Sequence, residues 1–240
     1  MRLKSDCWLL TKPIAHRGLW DENIIENSLS AYQNAVDNGY PIEIDIYSSC
    51  DGELFSFHDQ NLKRMTGENA RIFDKTAKQL KALSLNKSKE KIPTFDEVLS
   101  LVNGKVPLLI ELKDQPDGEF VDKVVARLKK YKGEFAIQSF NPLYIKRVKK
   151  LAPAFLRGIL GTSTHSKGQP FFKRLIVKNM CLNFLIKPDF ISYSFEDLPL
   201  KKCKVKNLPV ITWTITNQTE YQKVKPFAKN IIFEHFIPTK

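Results

Sequence analysis

Eight short apolar runs rich in β-forming residues recur along the chain, at 14–16, 42–46, 108–112, 135–138, 155–160, 190–193, 210–214 and 231–234. Longer amphipathic stretches separate them and predict helices at 28–37, 95–101, 120–131, 142–151, 170–180 and 219–224. Lys149, Lys150 and Lys178 fall near the C-terminal ends of these helices, where the macrodipole favours cations. The stretch after residue 193, EDLPLKKCKVKNLP, makes only a poor or short helix. Strands alternating with helices describe an α/β fold. Eight such repeats in 240 residues point to a TIM (β/α)8 barrel, whose chemistry sits at the C-terminal ends of the strands. Periodicity alone also admits an open doubly wound sheet. The whole chain is expected to be one domain.

A ninth run, 54–57, breaks the repeat, following the second strand after only SSCDGE. Asp51-Gly52 between β-formers signals a two-residue hairpin turn. That turn would set Cys50 opposite Glu53, Tyr47 opposite Ser56 and Asp45 opposite His58. A bulge would shift the register by one residue. The polar, Lys-rich stretch at about 59–93 then reads as a small insertion over the barrel mouth, with a helix at 75–82 capped by Asp74.

Ionisable residues gather where these strands end. Ile14-Ala15-His16-Arg17-Gly18 would carry an imidazole and a guanidinium to the rim before the glycine breaks the run. In Ile42-Glu43-Ile44-Asp45-Ile46 the two carboxylates share one face of the strand, because side chains alternate. They repel each other and cost desolvation unless a cation holds them. Glu111 adds a third carboxylate and Lys113 lies two residues nearer the rim. Three carboxylates suit a hard cation such as Mg²⁺ or Ca²⁺ better than zinc. Lys113 and Arg17 would meet an anion such as phosphate, and His16 with His58 has the look of general acid/base chemistry.

Charge is uneven. Residues 1–120 hold 15 Lys/Arg against 19 Asp/Glu and residues 121–240 hold 23 against 7, a balance of −4 followed by +16. The basic half would attract an anionic substrate, a membrane surface or nucleic acid, or simply form a solvated Lys-rich exterior. No nucleic-acid motif accompanies it, so a nucleic-acid partner is not expected. Cys7, Cys50, Cys181 and Cys203 have neither disulfide-framework nor zinc-site spacing and read as reduced thiols of a cytoplasmic protein. No apolar run is long enough for a signal sequence or a transmembrane helix.

Taken in order, IAHRG, IENSLSAYQNA, IEIDIYSSCDGELFSFHD, RMTG, KIPTFDEVL, LLIELK, AIQSF and VITWTI resemble the glycerophosphodiester phosphodiesterases along essentially the whole chain. The resemblance implies metal-dependent hydrolysis of glycerophosphodiesters, such as glycerophosphocholine or glycerophosphoethanolamine, to glycerol 3-phosphate and an alcohol. It matches His16 and His58 to the acid/base pair, and Glu43, Asp45 and Glu111 to the metal carboxylates. Arg17 and Lys113 match phosphate-contacting cations, and Trp213 a tryptophan bordering the substrate. A related phosphodiesterase acting on lysophospholipids would share this site. Two departures stand out: Ile25 replaces a usual proline, and the last strand reads IIFEHF, so Glu234 takes an acidic position expected at the far end of the pocket. Asn27 is expected to cap the first helix or to contact substrate. His165 and His235 are assigned no chemistry.

Overall fold

The computed structural model describes residues 3–163, 183–200 and 207–239. The helix expected at 170–180, with His165, Lys178, Cys181 and Cys203, lies outside the described residues. The strands are β1 (Ile14–Ala15), β2 (Ile42–Ser48), β3 (Leu54–Ser56), β4 (Leu108–Leu112), β5 (Phe135–Ser139), β6 (Leu156–Gly161), β7 (Phe190–Ser194), β8 (Val210–Ile215) and β9 (Asn230–Phe233). They run in the order β1-β9-β8-β7-β6-β5-β4-β2-β3, and β1 also pairs with β2. With β3 set aside, eight parallel strands therefore close on themselves, and the fold is a TIM barrel.

The described helices are α1 (Trp8–Thr11), α2 (Leu29–Asp37), α3 (Lys63–Thr66), α4 (Ala77–Ala82), α5 (Phe95–Val102), α6 (Phe120–Leu128), α7 (Pro142–Leu151), α8 (Asn183–Ile186) and α9 (Gln218–Val224). Their starts are written locally. Ser28, Asn141 and Asn217 cap α2, α7 and α9 with side-chain oxygens, and Thr94 forms a capping box with Glu97 at the head of α5.

Strand alternation divides the core in two. Ile42, Ile44 and Ile46 on β2 pack outward with Phe95, Val98 and Val102 of α5. Inside the barrel, Ile14, Leu109, Ala136, Phe190, Ile211 and Ile232 form a separate cluster to which α1 contributes Trp8 and Leu9. Asn230 fastens α1 to β9 by donating to the carbonyls of Leu9 and Lys12 at 3.0 and 2.6 Å. Gly158 on β6 pairs with Phe190 on β7, and a Cβ there would lie 2.2 Å from the fully buried Phe190 ring. Overpacking of this kind costs about 1–3 kcal/mol. Gly158→Ala should therefore lower the urea midpoint accordingly, and an unchanged midpoint would contradict this packing.

The hairpin departs from expectation. Its pairs are Ile46 with Ser56, Tyr47 with Phe55 and Ser48 with Leu54, one residue away from the expected register. The loop has three residues, not two: Ser49 N–H donates to Glu53 O at 2.8 Å and Gly52 N–H to Ser49 O at 3.0 Å, with Gly52 at φ +89°. This is a type I turn closed by a left-handed glycine. Asp51 favours it because its carboxylate accepts from the Ser49 hydroxyl at 2.6 Å and from the Ala77 N–H at 2.8 Å, docking the turn on the head of α4. Asp45 therefore faces Phe57, whose N–H donates to the Asp45 carbonyl at 3.0 Å. The expected Asp45–His58 cross-strand pair does not form.

Between β3 and α5 the chain builds its own apolar cluster. Leu62, Met65, Ile72, Phe73 and Leu80 pack against Tyr47, Phe55 and Phe57 of the hairpin. Each such buried side chain contributes about 1.5–3 kcal/mol, which holds the segment to the β2–β3 extension above the barrel. Its helix α4 begins later than expected. Thr76, not Asp74, caps it, with Gln79 completing a capping box. The Asp74 carboxylate instead pairs with Arg71 at 2.8 Å.

Candidate active site

The end of β1 turns sharply. Arg17 and Gly18 are both left-handed, at φ 58° and 88°, so the chain leaves the strand as soon as His16 has reached the rim. Gly18 is required twice over, since a Cβ would lie 2.8 Å from the backbone of Ala31 in α2. The turn aims the Arg17 N–H at Glu43 Oε2, 3.2 Å away, and its carbonyl accepts from Asn27 N–H at 2.9 Å. His16 is held at Nδ1 by Glu234 Oε2 at 2.6 Å, and Trp20 Nε1 donates to its carbonyl at 2.9 Å. A carboxylate can only accept, so Nδ1 carries the proton and Nε2 keeps its lone pair. Burial lowers the His16 pKa further than Glu234 raises it, which favours the neutral ring.

Next to this turn lie the carboxylates of β2 and β4. Oxygens of Glu43, Asp45 and Glu111 all lie within 4.8 Å of one another, and the three side chains are buried. Parallel pairing of Asp45 with Glu111 brings the third residue level with the first two. Lys113 Nζ reaches into the group, 3.1 Å from Asp45 Oδ1 and 2.8 Å from Glu111 Oε1. Burial, with the charges of Asp45 and Glu111, pushes Glu43 well above the usual carboxylate range. Burial would raise Asp45 too, but the charges of Lys113, His58 and Arg17 overcome it and hold that carboxyl low. Such a cluster of buried like charges, all oxygen donors, fits a hard divalent cation.

His58 arrives by a different route from the one expected. The last bond of the hairpin runs from the Phe57 N–H to the Asp45 carbonyl, so His58 is freed from strand alternation and turns into the mouth. Its Nδ1 lies 2.7 Å from Asp59 Oδ1, the same arrangement that Glu234 provides for His16. Burial would raise Asp59, but hydrogen bonds from His58 and Arg64 hold it well below the usual range. Arg64 grips Asp59 through Nε at 2.6 Å and Glu26 through Nη1 and Nη2 at 3.0 and 2.6 Å. Glu26 in turn accepts from Arg17 Nη1 at 2.8 Å.

His16, Arg17, Glu43, His58, Glu111, Lys113 and Trp213 thus line one solvent-open cleft. Asp45 lies beside it in the carboxylate cluster. The other wall is uncharged: Gln138, Phe140 and Leu160 join Trp213, with Phe140 and Trp213 edge to face at 5.8 Å. Two expectations move. Asn27 does not cap α2; at φ 53° it donates from Nδ2 to Asp45 Oδ2 at 3.1 Å while its Oδ1 accepts from the Tyr32 hydroxyl at 2.7 Å. Glu234 is not at the far end of the pocket but against His16. Glu26 and Gln138 were not among the site residues expected from the sequence. Only the IEN of the first loop and the Gln ending the fifth strand hinted at them. His235 stacks edge to face on Trp20 at 4.3 Å, outside the group lining the cavity.

Among the described residues no helix is long and apolar enough to cross a membrane. Residues 16–238 match the model of the glycerophosphoryl diester phosphodiesterase family. The chain is 28% identical over 233 residues to a glycerophosphodiester phosphodiesterase of Caldanaerobacter subterraneus, covering 89% of each protein. A shorter match, 44% over 66 residues, covers 27% of this chain and 21% of the human lysophospholipase D. The fold superimposes at a TM-score of 0.76 on an Oleispira antarctica phosphodiesterase solved with the product sn-glycerol-3-phosphate, at 23% identity and covering 93% of this chain and 92% of that one. A closed barrel with its ionisable residues at one rim and a family match spanning that rim from His16 onward agree: the chain belongs to the glycerophosphoryl diester phosphodiesterase family and is a phosphoric diester hydrolase.

Proposed function

We propose that this protein hydrolyses glycerophosphodiesters to glycerol 3-phosphate and an alcohol, with His16 and His58 as its acid/base pair. The observation that carries the reading is the matched pair of imidazoles, each fixed at Nδ1 by a carboxylate, lining one cavity with the Glu43–Asp45–Glu111 cluster. One histidine takes the proton of the nucleophile through Nε2 as the new phosphorus–oxygen bond forms. The other gives a proton to the alcohol oxygen as its bond to phosphorus breaks. Arg17 and Lys113 neutralise charge on the phosphoryl oxygens, and Trp213 borders the substrate. A divalent cation, Mg²⁺ or Ca²⁺, held by Glu43, Asp45 and Glu111, supplies Lewis-acid stabilisation of the phosphate. Residues 1–240 act as one domain, with the stretch at about 59–93 as an insertion over the mouth. A cytoplasmic setting is supported by the cysteine spacing and by the free thiols of Cys7 and Cys50.

The reading is tested by a coupled glycerol-3-phosphate assay on glycerophosphocholine and glycerophosphoethanolamine, with Mg²⁺ or Ca²⁺. Turnover of at least one diester is expected, and none on either would overturn it. The local likeness to a lysophospholipase D favours one second reading, which lysophosphatidylcholine tests in the same experiment. Cleavage of that lipid, with the soluble diesters untouched, would replace the first reading with the second.

A further inference from the structure

Arg64 belongs to none of the groups assigned above, yet it joins two of them. It sits on α3, in the segment between β3 and α5, and its five guanidinium donors are shared between two carboxylates. Toward one side, Nε and Nη2 reach Asp59 at 2.6 and 3.1 Å, and Asp59 holds His58 Nδ1 at 2.7 Å. Toward the other, Nη1 and Nη2 reach Glu26 at 3.0 and 2.6 Å, and Glu26 holds Arg17 Nη1 at 2.8 Å. Arg17 Nε lies 3.8 Å from Asp45, so an unbroken chain of polar contacts runs from His58 to the carboxylate cluster.

An isolated ion pair on a half-exposed arginine is worth about 0–1 kcal/mol and would call for no explanation. This one differs in geometry. Both contacts are bidentate, which fixes the planes of both carboxylates, and Glu26 is only 6% exposed. Each partner lies outside regular secondary structure. Asp59 follows the last ladder bond, and Glu26 lies in the loop ahead of α2 beside the left-handed Asn27. The loop after β1 and the end of the hairpin have no backbone pairing with each other among the described residues. A planar fork between them fixes their separation, whereas a lysine, a single point of charge, would satisfy one side at a time.

We infer that Arg64 is a positioning residue that sets His58 and Arg17 in register with each other, acting through Asp59 and Glu26. This inference rests on the roles proposed above for His58 and Arg17. It assigns each arm a separate kinetic signature. Loosening the Asp59 arm misaims an acid/base group, which lowers kcat. Loosening the Glu26 arm frees a phosphate-binding cation, which raises KM.

The test is steady-state kinetics with a glycerophosphodiester that the wild-type protein hydrolyses, with Mg²⁺ present, on Arg64→Ala, Arg64→Lys, Asp59→Asn and Glu26→Gln. Arg64→Ala should lower kcat/KM by about 10–100-fold, the range for residues that orient a functional group. Asp59→Asn should act mainly on kcat and Glu26→Gln mainly on KM. Arg64→Lys should recover less than half of the loss on a logarithmic scale, and added guanidinium should rescue Arg64→Ala but not Asp59→Asn. Melting temperatures accompany each measurement. An Arg64→Ala variant that keeps native kinetics would overturn the inference, as would equal losses in all four variants that track their melting temperatures. Should Arg64→Ala not fold, native kinetics in Arg64→Lys would overturn it, and the kcat and KM split between Asp59→Asn and Glu26→Gln would support it. A wild-type protein inactive on every diester would instead sink the functional reading beneath it.

Discussion

Replacing His16 or His58 by alanine should lower kcat on a glycerophosphodiester by about 10²–10⁴-fold, the usual contribution of a general acid or base. Each ring is tied through Nδ1 to a carboxylate, which leaves Nε2 as the working atom beside the cavity. Removal of either should therefore change turnover more than stability, and the two losses should not add. Once one proton transfer fails, the other no longer limits a concerted step. The assay is direct: turnover of both single variants and the double, with melting temperatures alongside. Near-native turnover in either single variant would remove that histidine from the mechanism.

The second large effect is expected from cation removal. Excess EDTA should abolish turnover, and added Mg²⁺ or Ca²⁺ should restore it. Loss of Lewis-acid stabilisation worth several kcal/mol corresponds to about 10²-fold or more in rate. Glu43→Gln should lose activity by a similar factor while behaving oppositely in stability. Burial and like charges already disfavour the Glu43 carboxylate, so a neutral amide relieves repulsion in the cation-free protein. Its melting temperature without metal should match or exceed that of the wild type, and the usual rise on adding metal should shrink. Full activity in EDTA would exclude the cation from the reaction.

The barrel was legible because its strands are buried on both faces and write themselves as short apolar runs. The 108–112 run and the 142–151 helix agree with β4 and α7 at both ends. What misled was local. An Asp-Gly pair serves both a two-residue turn and a three-residue turn with left-handed glycine, and the choice fell to Asp51 bonding Ala77, a residue 26 positions away. The shifted register would have carried His58 to the wrong face had the pairing continued, but its last bond is that of Phe57. Strand spacing alone put Glu43 and Asp45 on one face, and the parallel partner brought Glu111 to them. The groups that orient these residues were not legible. Glu234 meets His16 across 218 positions and Arg64 meets Glu26 across 38, separations at which no periodicity speaks.

The uncharged wall opposite the ionisable residues has a consequence of its own. His16, Arg17, Glu43, Asp45, His58, Glu111 and Lys113 all come from β1 through β4 and the turns that follow them, whereas Phe140 directly follows β5 and Leu160 and Trp213 lie on β6 and β8. The rim of the barrel is thus divided into an ionisable arc and an uncharged arc. Substitutions at Phe140 or Leu160 would therefore reshape the cavity without touching the ionisable arc.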